Sequence, residues 1–551
     1  MTNSTPDVTP HPSEVAVTIS TFEAFAAAAV EDILVRQPVM ASSLGDHRFD
    51  GRLDDLRPAA LDEERTAIAA RLVELHQWDD VALPIGHRVD AEVLSVRLRD
   101  RLFDIEEDGE YTWNPLASNP GTALYLLLAR DYAPLHDRLL SAGSRLRQIP
   151  EQLEVTRATL HDMPRVHVET AIGQFGGTLG LLDDIARQIA DQDDLRREVE
   201  PALDAARAAL NTHVEWLNAE LENAAGDPRL GRETFARKLS LVLDVEMTPE
   251  QVLQAAMDEL VVLEDRIAQV AAQLGGTPRE VLDRLALDAP TNDTIVAVAK
   301  DALAETTAFV AEHDLITMFD DPVEVIVMPE IHRGVAVAYC DPPGPLDPPG
   351  TTTFFAISPT PTDWPPERVA SFYREVNSHN LRNLVIHEAM PGHVLQLAHS
   401  RRGPVPTRVH QTYWSGPFVE GWAVYAEAEM VRQGFGGLPV AMQQLKMRLR
   451  ATINAVLDVR VHCDGLTEAQ AMELMTGRGH QEEGEAAGKW RRALLTSAQL
   501  STYYIGGRQV TDVVGRLRAA HPRWSDRQIH DTILGNGNPP PRHLPALLGL
   551  E

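Results

Sequence analysis

The first part of the chain has the periodicity of amphipathic helices. Apolar residues recur at three- and four-residue spacing from Val15 to about Ile316, with breaks at Pro and Gly. This spacing brings the apolar side chains to one face of an α-helix, so it predicts a helical lobe over residues 15–316. The clearest helix is predicted at 248–274, where Thr248 as the N-cap and Gln251 complete a capping box.

The period changes between residues 323 and 357. Three short segments there are rich in β-branched and aromatic residues and are bounded by Pro, Gly or Asp, which predicts strands. The predicted strands are Val323–Met328, Val335–Cys340 and Thr351–Ile357. Helical patterning resumes at about Glu367 and continues to the carboxyl terminus, so residues 317–551 predict a second lobe. We therefore expect a mainly α fold of two lobes, with a small β-sheet near the start of the second.

Acidic residues outnumber basic ones, and this imbalance excludes two classes of partner. The chain has 50 Lys and Arg against 81 Asp and Glu, which gives a formal net charge of −31. Phosphate backbones and anionic lipid surfaces are bound by clusters of Lys and Arg. We therefore expect neither nucleic acid nor a membrane as a partner.

Cysteine content and the polar amino terminus point to a compartment. Two cysteines, Cys340 and Cys463, are too few for a disulfide framework in 551 residues. Residues 1–14 are polar, contain three prolines and are expected to form a disordered tail without a signal peptide. No apolar run approaches the roughly 20 residues of a transmembrane helix. These features predict a soluble cytoplasmic protein.

Candidate chemistry is concentrated between residues 379 and 410, which contain five of the 20 histidines. The segment HEAMPGH, from His387 to His393, resembles the zincin signature, in which two imidazoles bind Zn²⁺ and the Glu is the general base. In the standard signature the second His follows the first by four residues, whereas here it follows by six. At about 100° per residue, six residues turn His393 roughly 120° away from His387, so an undistorted helix cannot form this chelate.

Two interpretations of this motif remain open. Pro391 and Gly392 permit a kink or bulge that swings His393 back, which predicts a distorted metal helix. Alternatively, the helix ends at Met390 and His393 begins the next one. A third ligand would favour a metal site, and a carboxylate commonly joins two imidazoles in hydrolytic zinc sites.

The segment 418–429 offers three candidate carboxylates. Glu420 and Glu427 are seven residues apart and share a helical face, whereas Glu429 points the opposite way from Glu420. Glu420 lies among apolar and aromatic residues, where a charge is costly to bury unless it is paired or bound to a metal. The alternative is an amphipathic helix with solvated glutamates, which suits Glu429 well and Glu420 poorly.

Two longer motifs carry a family resemblance. The combination of HEAMPGHVLQ (387–396) and FVEGWAVYAE (418–427) resembles the bacterial family known as domain of unknown function 885, whose members resemble zinc metallopeptidases of the gluzincin type. Segments 44–55, 502–507 and 528–540 also resemble family landmarks, so the resemblance covers nearly the whole chain. It implies a large two-lobed helical zincin with a small sheet next to the metal helix and one Zn²⁺ per chain.

The same resemblance implies roles for four residues of the two motifs. His387, His393 and Glu420 correspond to zinc ligands, and Glu388 corresponds to the general base. Family members often have a second His directly after the Pro-Gly-His sequence, where this chain has Val394. The metal-binding position itself, His393, keeps its histidine.

Candidates for transition-state stabilisation come from the carboxyl-terminal part of the chain. The resemblance implies Tyr503, whereas helical spacing groups Tyr504 with Arg508, and both tyrosines can instead be core aromatics. His462 follows Asp458 by four residues and can be oriented by it, which makes His462 a second catalytic candidate. The alternative is that His462 is a buried structural histidine.

Together these features predict a zinc-dependent peptidase that cleaves short peptides in a deep cleft. The resemblance implies that the substrate binds as an extended strand at a sheet edge, supplied by Val335–Cys340 or Thr351–Ile357. Two alternatives remain open. One is a zinc hydrolase of non-peptide amides, and the other is a catalytically silent binding protein that retains the fold.

Overall fold

The computed structural model describes residues 12–79, 81–329, 337–361 and 364–550. The first helix begins at Pro12, three residues before the predicted start of the helical pattern, and residues 1–11 of the predicted tail lie outside the described residues. The helices before the sheet are α1 (Pro12–Arg36), α2 (Pro38–Ser43), α3 (Pro58–His76), α4 (Ile85–Phe103), α5 (Glu110–Trp113), α6 (Gly121–Leu128), α7 (Leu135–Thr159), α8 (Arg165–Ile189), α9 (Asp193–Glu220), α10 (Arg232–Leu243), α11 (Pro249–Gln273), α12 (Pro278–Leu285) and α13 (Ile295–Glu312).

The helix predicted at 248–274 is α11, and its predicted capping box is confirmed. The Thr248 side chain accepts a hydrogen bond from the Gln251 amide at 3.3 Å, and the Gln251 side chain accepts one from the Thr248 amide at 2.9 Å. These bonds satisfy two amides that have no partner inside the helix. The helix ends at Gln273, and Gly275 beyond it has a left-handed φ of +78°, which glycine adopts without steric cost.

The three predicted strands form one small sheet. The observed strands are β1 (Val323–Val327), β2 (Ala338–Asp341) and β3 (Thr353–Ile357). Their order is β1-β3-β2, with β1 parallel and β2 antiparallel to β3. The first residues of the predicted second strand, 335 and 336, lie outside the described residues. Because β3 is central, β2 is an edge strand.

Helices follow the sheet to the end of the described chain. They are α14 (Pro366–Glu375), α15 (Ser378–Glu388), α16 (His393–Ser400), α17 (Arg408–Thr412), α18 (Gly416–Arg432), α19 (Gly437–Asp464), α20 (Glu468–Glu473), α21 (Glu483–Leu495), α22 (Ser501–Ala520), α23 (Asp526–Leu534) and α24 (Leu544–Leu547). The prediction of a mainly α fold with a small sheet next to the candidate metal helix, α15, is confirmed.

Two hydrophobic clusters surround the helices that carry the candidate chemistry. One cluster joins α13, the sheet, α15, α18 and α22. The other packs α10, α11 and α12 against α19, α21 and α22. Helices from before and after the sheet therefore share a core, while the division into lobes over 15–316 and 317–551 stays a prediction.

The segment 44–55 holds the loop that follows β2. The His47 ring stacks on Tyr132 with centroids 3.5 Å apart, and its two nitrogens contact Asp50 and Asp347, each at 3.1 Å. Burial lowers the pKa of His47, but hydrogen bonds with Asp347 and Asp50 outweigh this effect and raise the pKa to about 9. Near neutral pH the imidazolium therefore links the amino-terminal helices to the loop beside the edge strand.

Candidate metal centre

The chain breaks its helix inside the segment HEAMPGH. Helix α15 ends at Glu388, and α16 begins at His393. The expectation of one distorted helix is therefore wrong, and the alternative that His393 begins a new helix is correct, with the first helix ending two residues before Met390. The Gly392 amide donates to the Ile386 carbonyl at 2.9 Å, and this bond closes the turn between the helices.

Glycine is required at this turn because the backbone folds back on itself. A Cβ on Gly392 would lie 1.9 Å from the His387 carbonyl oxygen and 2.3 Å from that of Ile386. The close approach brings the second imidazole back to the first. The rings of His387 and His393 have centroids 4.9 Å apart at an interplanar angle of 86°.

Helix α18 adds a carboxylate to the two imidazoles. Glu420 Oε2 lies 3.3 Å from His387 Nε2 and 3.6 Å from His393 Nε2. One ligand atom from each residue lies within 4.8 Å of the others. Glu420 Oε2 is also buried without a hydrogen-bond partner among the described residues. The structure thus brings together the three predicted ligands around one buried acceptor atom.

Charge in this cluster favours an ionised carboxylate. Burial by itself raises the pKa of Glu420, but hydrogen bonds and charge from His387 and His393 outweigh it, so the net pKa is lowered far below its ordinary value. Glu420 is therefore negatively charged at neutral pH. A buried carboxylate facing two imidazole nitrogens is a suitable donor set for a divalent transition metal.

Glu427 fixes the orientation of His387, and the sequence analysis assigned it no role. Its Oε1 lies 2.7 Å from His387 Nδ1, while its Oε2 accepts a hydrogen bond of 2.7 Å from Asn383. Only 3% of Glu427 is exposed. With Nδ1 engaged by the carboxylate, His387 directs Nε2 towards Glu420. The seven-residue spacing on the face of Glu420 was the available sequence signal.

Replacement of Glu427 with Gln is expected to weaken zinc binding about 10–100-fold, because a carboxylate partner raises the basicity of a metal-binding imidazole and holds its ring. Competition with a chromogenic chelator measures this affinity. Glu312→Gln, at the exposed end of α13, is the control. Equal zinc affinity in the two variants would contradict the role of Glu427.

Glu388 lies at the junction of α15 and the sheet. Its Oε2 accepts a hydrogen bond of 3.0 Å from the Cys340 amide in β2. Burial raises the pKa of the carboxyl, although the nearby His387 and His393 lower it in part. One carboxylate oxygen is thus held by the edge strand, and the residue lines the same cleft as the metal candidates.

The two candidate tyrosines of α22 have different surroundings. The Tyr503 ring stacks against His387 with centroids 6.4 Å apart, and its hydroxyl accepts a hydrogen bond of 3.2 Å from Arg492. The Tyr504 hydroxyl instead donates to the Ala255 carbonyl of α11 at 2.7 Å, in the second hydrophobic cluster. Tyr503 therefore lines the cleft beside the metal candidates, and Tyr504 is a core aromatic.

The structure does not bring His462 into this group. Its Nε2 contacts the Thr496 carbonyl at 3.1 Å, its Nδ1 accepts from the Leu230 amide at 3.3 Å, and its ring stacks on Phe235. The prediction of a catalytic His462 is corrected: both nitrogens are engaged by the backbone in a buried position. Asp458 does not orient it, because its carboxylate accepts hydrogen bonds from the amides of residues 498 and 501 and from a hydroxyl.

Glu429 also differs from the interpretation of a solvated glutamate. Only 4% of it is exposed, and its carboxylate forms ion pairs with Arg432 and Arg518. Together with His530 and Asp526 it forms a second group of closely spaced acidic and histidine side chains. That group is already compensated by the two arginines, and both His530 nitrogens are hydrogen-bonded, so it is a structural ion-pair network.

The metal candidates lie in a cleft with a cavity volume of about 470 Å³. Its walls are β2 with the segment after β3, the middle of α19, and α21 with Tyr503. Trp364, Phe372 and Trp414 add aromatic surface. None of the helices in the described part of the chain is long and apolar enough to cross a membrane.

Two solved structures resemble this chain over nearly their whole length. A protein of unknown function from Shewanella oneidensis, provisionally described as a lipoprotein, is 28% identical, with 96% of this chain and 99% of that chain covered and a TM-score of 0.80. A second such lipoprotein, from Colwellia psychrerythraea, is 15% identical, with 97% and 99% covered and a TM-score of 0.78. These similarities contradict the predicted cytoplasmic location, since lipoproteins are anchored to membranes.

Other comparisons are weaker, apart from the family itself. An M32 carboxypeptidase from Deinococcus radiodurans R1 is 12% identical over 89% of this chain and 94% of its own, with a TM-score of 0.37, too low to indicate a common fold. No curated protein matches the chain. The sequence model of the bacterial proteins of unknown function called DUF885 matches residues 38–548, and the chain therefore belongs to this family.

Proposed function

We propose that this protein is a zinc-dependent peptidase that acts on short peptides. The observation that carries the proposal is the convergence of His387, His393 and Glu420 within 4.8 Å of one another, in a cleft that also contains Glu388. Two imidazoles and one carboxylate are a frequent protein ligand set of catalytic zinc, which keeps a further position open for water or substrate.

The spacing of these donors fits zinc. Ligand atoms at ~2.0–2.1 Å from a tetrahedral zinc lie about 3.3 Å from one another. Glu420 Oε2 lies 3.3 Å and 3.6 Å from the two Nε2 atoms. Its lack of a hydrogen-bond partner among the described residues also fits a metal ligand, since an orphaned buried carboxylate oxygen is otherwise costly.

Glu388 is the proposed general base. When bound, zinc lowers the pKa of a water ligand to about 7 and polarises a substrate carbonyl. Glu388 accepts the proton of the attacking water and passes it to the leaving amine. The Cys340 amide holds Oε2 of Glu388, which leaves Oε1 for the proton. Tyr503 is the proposed donor to the oxyanion, since its oxygen accepts from Arg492 and its own hydroxyl proton remains available.

The proposed binding site for the peptide backbone is the free edge of β2. The Ser358 amide donates to the Val337 carbonyl at 2.8 Å, so residue 337 is hydrogen-bonded towards β3. Alternate residues of an antiparallel strand direct their backbone groups to opposite sides. Those of Ala338 and Cys340 therefore point away from β3, and the Cys340 amide meets Glu388. An extended peptide added at Ala338 would lie beside the general base.

Zinc dependence is the direct test of this proposal. A mixture of short peptides is incubated with the purified protein, with the chelated protein and with chelated protein given one equivalent of zinc, and the products are identified by mass spectrometry. Cleavage is expected to disappear on chelation and return with zinc, because the ligand set has no other source of a Lewis acid. Cleavage that persists in metal-free protein, or a parent protein that cleaves no peptide, would refute the proposal.

A further inference from the structure

Two basic residues of α21 form part of the cleft wall. Lys489 and Arg492 are three residues apart, so they lie on one face of the helix. Lys489 is one of only four lysines in the sequence. Only 5% of it is exposed, and its ammonium group forms no ion pair or hydrogen bond within the described ranges of the chain. A cation so buried is costly unless an anion accompanies it.

The carboxylates around Lys489 are already engaged elsewhere. Glu485 pairs with Arg450, and Glu375 pairs with Lys446 at 2.8 Å. The carboxylates of Glu420 and Glu427 contact the metal-binding histidines. The acidic side chains of the cleft therefore leave the charge on Lys489 uncompensated.

Arg492 is likewise without an acidic partner among the described residues. Its guanidinium donates to the neutral Gln499 side chain at 2.9 Å and to the Tyr503 hydroxyl at 3.2 Å. Tyr503 in turn stacks against His387. The two cations are thus next to the candidate metal centre, within a protein whose net charge is −31. The global charge repels acidic ligands, so a local pair of cations provides a specific place for one.

We propose that Lys489 and Arg492 bind a carboxylate of the peptide substrate, either the terminal α-carboxylate or an acidic side chain, close to the bond that is cleaved. This inference rests on the proposed peptidase function and adds a substrate class to it. Arg492 presents a planar set of donors that suits a carboxylate, and Lys489 adds a point charge deeper in the wall. The cations select for peptides with a negative charge at this position.

The binding of such a carboxylate has a proton signature. Burial and the charges of Arg450 and Arg492 hold the pKa of Lys489 well below its usual range, although Glu485 and Glu420 act in the opposite direction. A bound carboxylate raises this pKa again, so peptide binding near neutral pH is expected to take up a proton. Calorimetry in buffers of different ionisation enthalpy measures the uptake.

The test uses zinc-loaded Glu388→Gln protein, which binds peptides without consuming them. Calorimetry compares acetyl-Ala-Ala-Ala with its amide, and acetyl-Ala-Glu-Ala-amide with acetyl-Ala-Gln-Ala-amide. The charged member of at least one pair is expected to bind about 10–100-fold more tightly, the range of a charge-assisted hydrogen bond. The pair that shows the difference identifies the source of the carboxylate.

Lys489→Met in the same background removes the charge but keeps most of the side-chain volume. We expect it to lose the preference and the proton uptake without a lower melting temperature, since it removes an unpaired buried charge. Lys300→Met, at an exposed position of α13, is the matched control and keeps both.

The outcomes separate this inference from the proposed function. Equal or undetectable binding of the charged and neutral peptides, or an unchanged preference in Lys489→Met, overturns the inference. If the unmodified protein still cleaves peptides in a zinc-dependent way, the peptidase function survives that result. Loss of zinc-dependent cleavage by the parent protein would refute the function instead.

Discussion

Replacement of Glu388 with Gln is expected to lower peptide hydrolysis by about 10²–10⁴-fold, the usual contribution of a general acid-base residue. Gln has the shape of Glu, and its oxygen can still accept the hydrogen bond from Cys340. It cannot take a proton from water at neutral pH. The rate is measured on the best peptide from the mixture, and zinc content is measured by elemental analysis, which should remain at one per chain.

Glu312→Gln is the control for this variant, because it makes the same change at an exposed position of α13. Its rate is expected to equal that of the parent. A Glu388→Gln protein that hydrolyses peptides at the parental rate would refute the assigned mechanism. A variant that has lost its zinc would instead report a structural effect on the ligands.

The second large effect is expected from Gly392→Ala. Its φ of −73° is open to any residue, so the cost arises from space alone. The new Cβ would overlap the carbonyl oxygens of Ile386 and His387, which belong to the backbone of α15 and cannot rotate away. Overpacking of this kind costs about 1–3 kcal/mol of unfolding free energy. The shift also moves His393, so zinc affinity should fall together with the midpoint of denaturant unfolding.

Gly176→Ala provides the contrast. Gly176 is an exposed residue inside α8, and an added Cβ there meets nothing within 4 Å. Alanine is the better helix former, so this variant is expected to gain about 0.5–1 kcal/mol. Zinc affinity should not change. If Gly392→Ala keeps parental stability and zinc affinity, the turn does not hold His393 in the way described.

Local sequence signals predicted the fold well where the interaction is short in range. The capping box of α11 needs only Thr248 and Gln251, and both hydrogen bonds occur. The strands were recognised from β-branched and aromatic runs, which are typical of half-buried sheets. Their pairing was not predictable in this way, because the order β1-β3-β2 depends on which backbone edges meet in space.

The candidate site required information that a single segment does not carry. The return of His393 depends on a backbone turn, and its geometry cannot be read from helical periodicity. His462 and Asp458 have the spacing of a helical pair, but residues from other elements engage both of them. Glu429 was taken as solvated because Arg518, which compensates it, lies almost ninety residues further along the chain.

The difference between Tyr503 and Tyr504 illustrates the same limit. They are neighbours in α22 and have the same chemistry, so their roles depend on which face of the helix is covered. Helix α11 covers the face of Tyr504, whose hydroxyl finds a partner there. The cleft receives Tyr503. Family resemblance pointed to Tyr503, whereas spacing alone favoured its neighbour.

The packing of α11 against α19 has a consequence for the order of folding. α19 forms one wall of the cleft, and its opposite side is covered by a helix made much earlier during synthesis. Until α19 has left the ribosome, the apolar face of α11 has no native partner from this core. Such long-range contacts slow folding and leave hydrophobic surface exposed in the nascent chain. The active cleft can therefore assemble only late, when nearly the whole polypeptide is available.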